Sequence, residues 1–67
     1  MQNIIKFKRK SKKLSQEELA KLCGVSRQTI NAIENDKYDP TLQLAFQLAY
    51  QLESTVDELF QFQGVRG

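Results

Sequence analysis

Residues 14–34 read LSQEELAKLCGVSRQTINAIE, and the spacing inside this stretch is that of two short helices joined by a tight turn. Ser15-Gln16-Glu17-Glu18 is a capping box, in which the serine caps and the glutamate three residues on bonds back. Leu19, Ala20, Leu22 and Cys23 supply the apolar face of the helix that follows. Gly24 fits the position just past a helix end, where a positive φ costs glycine little. Val25 packs inward, and Ser26 caps a second helix with Ile30 and Ile33 as its inner face. The reading is a helix over about 15–22, a turn at 23–25 and a helix over 26–35. Two helices joined by so short a glycine-containing turn form a helix-turn-helix. In that arrangement the second helix enters the DNA major groove, its N-terminal residues at the base edges.

Helical spacing continues on both sides. Ile4, Ile5, Phe7 and Leu14 outline a first helix across a basic block. Asn35 to Pro40 reads as a loop ending at the chain's single proline. Thr41 or its neighbour starts a fourth helix, with Leu42, Leu44, Ala45, Leu48, Ala49 and Leu52 at helical spacing. Thr55-Val56-Asp57-Glu58 is a second capping box, opening a short fifth helix that ends near Phe60. There the period changes: Phe60-Gln61-Phe62-Gln63 alternates apolar and polar, the mark of a strand with one face covered. A lone strand is not stable and needs a partner. No repeat or linker divides residues 1–67, so one domain is expected.

Composition narrows the function classes. The chain has 67 residues, one cysteine and no histidine. A chain this short buries only about 60% of its unfolded surface, so its stability is marginal and dimerisation would help. One cysteine makes no internal disulfide, and the usual metal ligands are missing. This fits a reducing cytoplasm. No apolar run approaches the roughly 20 residues of a membrane span, and no apolar segment of signal-peptide type follows the basic start. The net charge is only +2, yet residues 1–13 carry Lys6, Lys8, Arg9, Lys10, Lys12 and Lys13 with no acid. Such a block is either a surface for phosphate, membrane or an acidic partner, or a solvated helix face.

Taken together, these segments resemble the lambda-repressor-like (Cro/C1, or XRE) regulators of bacteria and phage. The likeness rests on Leu14–Ala20, Gly24–Ile30, Ile33-Glu34, Pro40-Thr41-Leu42 and Val56–Phe60, and covers about residues 4–60. It implies a mainly α, five-helix domain with the helix-turn-helix at about 15–35. A closer similarity is to the very small dimeric members of the cytolysin-repressor type, carried by Val25–Asn31, Lys37-Tyr38, Leu42–Ala45 and Phe60–Gln63. It implies that the strand at about 60–63 pairs with the N-terminal segment, and that the dimer forms there through Phe60 and Phe62. Three positions depart from the family pattern. Lys8 stands where an apolar residue is usual and Phe7 precedes it, so either the first helix is rotated slightly or Lys8 buries its stem and snorkels. Cys23 stands for a leucine, and Glu53 for a glycine at the end of helix four.

The candidate site follows from residue chemistry. Arg27, Gln28 and Asn31 share one face of the second motif helix, while Ile30 and Ile33 point away. Arginine reads guanine bidentately, and glutamine and asparagine read adenine. Ala32 is a candidate for a thymine methyl. Candidates for the DNA backbone are Gln16, Thr29, Asn35, Lys37, Tyr38 and Lys10. For Gln16, the resemblance implies both a phosphate bond and a buttress to the recognition helix. For Arg9, it implies a pair with Glu34 rather than DNA contact. Cys23 reads as core, and Phe46 and Tyr50 as core or dimer contacts. The expected function is a sequence-specific double-stranded DNA-binding regulator, a repressor acting as a homodimer on a palindrome. No cofactor and no membrane partner are expected, and no small-molecule ligand is evident. The alternative is an antitoxin or protein-interaction module of the same fold. An enzyme is not expected, for want of a histidine, a metal cluster, an activated nucleophile or a phosphate-cradling glycine loop.

Overall fold

The computed structural model describes residues 1–61. Its elements run β1 (Gln2–Asn3), α1 (Ile5–Ser11), α2 (Gln16–Cys23), α3 (Arg27–Glu34), α4 (Leu42–Gln51), α5 (Val56–Leu59) and β2 (Phe60–Gln61). Side-chain caps start four of the five helices. Ser15, Ser26, Thr41 and Thr55 each accept the backbone N–H three residues on, from Glu18, Thr29, Leu44 and Glu58. At Ser15 the box is complete: Glu18 accepts the Ser15 N–H at 2.8 Å and donates its own N–H to Ser15 Oγ at 3.0 Å. At Thr55 the expected box is only half made. The Glu58 carboxylate takes the Thr55 hydroxyl at 3.3 Å, not its backbone N–H.

Gly24 closes α2 at φ +70°, the left-handed geometry expected of it. Three non-glycine residues adopt the same region: Lys13, Asp36 and Glu53 at φ 59°, 60° and 52°. Glu53 thus keeps the turn that a glycine serves in the family, with its carboxylate on Lys12 Nζ at 2.8 Å.

The core is built from every helix. Ile5, Leu19, Ile30, Ile33, Leu48, Leu52 and Leu59 are fully buried, and Ala20, Cys23, Leu44, Ala45, Ala49 and Phe60 complete the cluster. Leu14, Val25 and Val56 pack against it from the turns and helix starts. Three apolar residues assigned inward by spacing point outward instead. Leu22 is half exposed, Leu42 largely so, and Phe7 is exposed on α1. Each lies on a helix whose neighbouring positions already fill the facing surface: Leu19 and Cys23 on α2, Leu44 and Ala45 on α4, Ile5 and Arg9 on α1. With Lys8 half-buried and Phe7 exposed, α1 has not rotated; the lysine buries its stem.

The C-terminal strand finds the partner it needs. β1 and β2 pair antiparallel, Gln2 opposite Gln61 and Asn3 opposite Phe60, and Ile4 N–H donates to Leu59 O at 2.9 Å beyond them. Phe60 is buried in its own chain's core. The remainder of the expected strand, Phe62 and Gln63, lies outside the described residues.

Candidate nucleic-acid interface

A buried polar network sets the angle between the motif helices. Arg9, on α1, donates Nε and Nη2 to the two Glu34 carboxylate oxygens at 2.7 and 3.2 Å. Its Nη1 donates to Leu14 O at 2.8 Å, fixing the turn before α2. Gln16, the first residue of α2, donates Nε2 to Glu34 Oε1 at 3.1 Å. One carboxylate at the end of α3 therefore ties α1, the α1–α2 turn and α2 to the third helix. The Arg9 and Glu34 side chains are 9% and 2% exposed, so this pair is inside the protein rather than on its surface. A buried, bidentate and further hydrogen-bonded pair has one geometry.

A second clamp holds the other end. Asn3, on β1, donates Nδ2 to Ile33 O at 2.8 Å and to Asp36 Oδ1 at 3.2 Å. Its Oδ1 accepts the Ile5 N–H at 3.1 Å. The Met1 amino group holds Asp39 at 2.9 Å. Both acids of the loop after α3 thus have a partner, and neither Arg27 nor Lys37 forms an ion pair among the described residues.

The outward face of α3 is now placed. Arg27, Gln28 and Asn31 are exposed, Ala32 is half-buried, and the four line one shallow depression of about 250 Å³ with Lys37. Four side chains expected at base edges and one expected at a phosphate therefore share a single surface. The first turn of α3 carries no acid. Asn31 Oδ1 accepts from Asn35 Nδ2 at 2.6 Å, and the same Nδ2 reaches Asn31 O at 2.9 Å. The pair orients the Asn31 amide, whose own two N–H donors make no hydrogen bond among the described residues. It also commits both Asn35 amide hydrogens, so a phosphate bond from Asn35 requires that pair to open.

Thr29 and Tyr38 line a second depression, of about 510 Å³, between the α2–α3 turn and α4. Thr29 is anchored by its hydroxyl against Ser26 Oγ at 3.0 Å. Thr41, Gln43 and Gln47 share this wall, and the sequence reading assigns them no contact. The available signal was Thr41 as the cap of a 10-residue helix, since free N–H groups at such an end suit anions. Lys10 is exposed on α1 and lines neither depression. The basic block does not act as one patch: Arg9 is spent on Glu34 and Lys12 on Glu53. Cys23 is buried, and burial raises its thiol pKa, which makes it a core residue and not a reactive one. Among the described residues no group of side chains could hold a metal ion, and no helix is long and apolar enough to cross a membrane.

Comparison with known proteins gives this geometry its setting. Residues 5–59 match the family described as helix-turn-helix. An uncharacterised HTH-type transcriptional regulator of Methanocaldococcus jannaschii is 48% identical over 63 residues, covering 94% of this chain and 96% of that protein. The crystal structure of the restriction-modification controller protein C.AhdI from Aeromonas hydrophila superposes with a TM-score of 0.77 at 34% identity, covering 84% of this chain and 85% of that one. A chain of the SinR/SinI protein complex superposes at 0.72 with 32% identity, over 78% of this chain and about half (52%) of the other. Relatives come from archaea as well as bacteria, so the likeness is not confined to bacteria and phage. None of this points to an enzyme family: the chain belongs to the Cro/C1-type (XRE) helix-turn-helix transcriptional regulators.

Proposed function

We propose that this regulator is a sequence-specific repressor that binds a palindromic operator as a homodimer, with α3 in the major groove. The observation that carries the reading is the single outward surface formed by Arg27, Gln28, Asn31 and Ala32 beside Lys37. Arg27, Gln28 and Asn31 meet base edges, and Ala32 a thymine methyl. Gln16, Thr29, Lys37 and Tyr38 hold the backbone on either side, with Thr41 and Gln43 added by the second depression. Asn35 acts chiefly by orienting Asn31, and Lys10 is the outermost backbone contact. Two recognition helices about 34 Å apart would then match half-sites one turn apart. The region around Phe60, Phe62 and Tyr50 joins the two chains. The protein acts in the cytoplasm at the nucleoid, and repression follows from occupying promoter DNA.

The SinR/SinI complex supports a second reading, in which the domain is held by another protein, as an antitoxin is. Titration of a labelled random duplex between about 50 and 200 mM salt tests the surface itself. Each lost phosphate contact lowers the salt slope by about 0.9. Lys37→Ala is expected to lower it by that amount. Wild-type affinity and slope for both Lys37→Ala and Arg27→Ala would remove this face from DNA and favour the protein-interaction reading.

A further inference from the structure

One side chain on the reading face is not free to make the contact its type suggests. Asparagine reads adenine with both ends of its amide, Oδ1 accepting from N6 and Nδ2 donating to N7. Asn31 Oδ1, however, accepts from Asn35 Nδ2 at 2.6 Å, and the same Nδ2 donates to Asn31 O at 2.9 Å. The second bond fixes which amide atom is which. A main-chain carbonyl only accepts, so the Asn35 atom beside it is nitrogen, and the Asn31 atom facing that nitrogen is oxygen. Asn35 lies one turn beyond Asn31, so Oδ1 is turned along α3 toward its C-terminal end. Nδ2 keeps both hydrogens unused among the described residues. Asn31 therefore stands on this surface as a donor.

Its neighbours there are donors too. Arg27 and Lys37 carry no acceptor in their side chains, and Ala32 offers only a methyl group. The nearby acids are held elsewhere: Glu34 by Arg9 and Gln16, Asp36 by Asn3, and Asp39 by the Met1 amino group. Among the side chains lining the depression, Gln28 alone has an uncommitted acceptor. In the major groove guanine shows two acceptors, N7 and O6, and no donor. Adenine shows one acceptor and one donor, thymine a single acceptor beside its methyl, and cytosine a donor.

We infer that Asn31 reads guanine rather than adenine, and that Asn35 is the positioning residue that makes this choice, by holding the Asn31 amide oxygen away from the base. The inference rests on the base-reading face proposed above and names what one position of it selects. A bidentate adenine contact requires Asn31 Oδ1 to leave Asn35 on entering the groove, and the Asn35 amide then keeps one bond in place of two. A guanine contact keeps both bonds, with Asn31 Nδ2 donating to N7 or O6.

Competition binding with the full chain tests this. Selection from a random pool supplies the duplex, and Asn31→Ala marks the position by losing preference at one symmetric pair of bases. Four duplexes that differ only at that pair then compete for the wild type, Asn35→Ala and Asn35→Asp. An exposed i, i+4 pair contributes little to stability, so both variants are expected to fold, as circular dichroism will check. The wild type should favour guanine over adenine at least about 5-fold. Asn35→Ala frees Oδ1 and should reverse that order in favour of adenine. Asn35→Asp keeps the shape but replaces the donor by an acceptor, which takes a hydrogen from Asn31 Nδ2 and releases Oδ1; it should shift the preference the same way. A merely structural role for Asn35 would weaken all four duplexes alike and leave their order unchanged. That result, or a wild type that favours any base but guanine there, would overturn the inference and leave the base-reading face standing; the wild-type comparison decides even where a variant does not fold. A wild type that recovers no motif, or an Asn31→Ala variant with unaltered preference at every position, would overturn both.

Discussion

Replacing Arg9 by leucine should come close to unfolding the protein, because Arg9 is buried and paired with Glu34. In the native chain the Glu34 carboxylate accepts two Arg9 hydrogen bonds and one from Gln16, and its side chain is only 2% exposed. Arg9→Leu leaves that buried carboxylate with the Gln16 amide alone and strands the Leu14 carbonyl as well. Breaking a buried ion pair from one side costs about 3–5 kcal/mol, because the charge left behind is uncompensated. A domain of this length is stable by only about 3–10 kcal/mol in total. At 4–8 °C per kcal/mol, the melting temperature should fall by at least about 12 °C. Arg9→Leu/Glu34→Leu removes both charges and should recover at least half of that loss. Urea denaturation followed by circular dichroism measures this, at one protein concentration because the stability of any oligomer would depend on it. A single variant losing under about 1 kcal/mol, as an exposed pair would, refutes the reasoning. So does a double variant that loses the sum of the two singles.

Other outcomes are expected from the same structure. Glu53→Gly should stabilise the domain by about 0.5–1 kcal/mol in urea melts, since a left-handed non-glycine residue is strained and its exposed Lys12 pair contributes little. Asn3→Ala should cost about 1–2 kcal/mol and speed hydrogen exchange at the Ile5 amide, because Asn3 caps both the start of α1 and the end of α3. The Ser15 hydrogen bonds hold the Glu18 carboxyl below its ordinary pKa. Its contribution to stability is therefore complete above the ordinary carboxylate range and is lost as the pH falls through the lowered value. Between neutral pH and about pH 3, Glu18→Gln should show a shallower loss of stability than the wild type.

The local chemistry of helix ends carried most of the fold into the sequence. Ser15, Ser26, Thr41, Thr55 and Gly24 each sit where their residue type is favoured, and four of the five helices start or stop at them. The site was legible for the same reason: on so short a helix, burying Ile30 and Ile33 turns Arg27, Gln28 and Asn31 outward. Leu22, Leu42 and Phe7 were misplaced because spacing identifies an apolar residue without identifying a surface to receive it. The Arg9–Glu34 pair spans 25 residues, and only the family resemblance pointed to it. The Asn3 clamp spans 30 and no local pattern announces it. The Asn31–Asn35 bond, by contrast, is an i, i+4 pair that sequence spacing contains.

The proposed function stands or falls on α3 reading bases. Selection of bound duplexes from a random pool, run with the wild type, Gln28→Ala and Asn31→Ala, tests it most directly. The wild type is expected to recover a palindromic motif with half-sites about one helical turn apart. Each variant should relax it at a symmetric pair of positions, by about 1–3 kcal/mol per half-site in direct competition. A wild type that enriches no motif, or variants that recover the same motif with undiminished preference at every position, would contradict it.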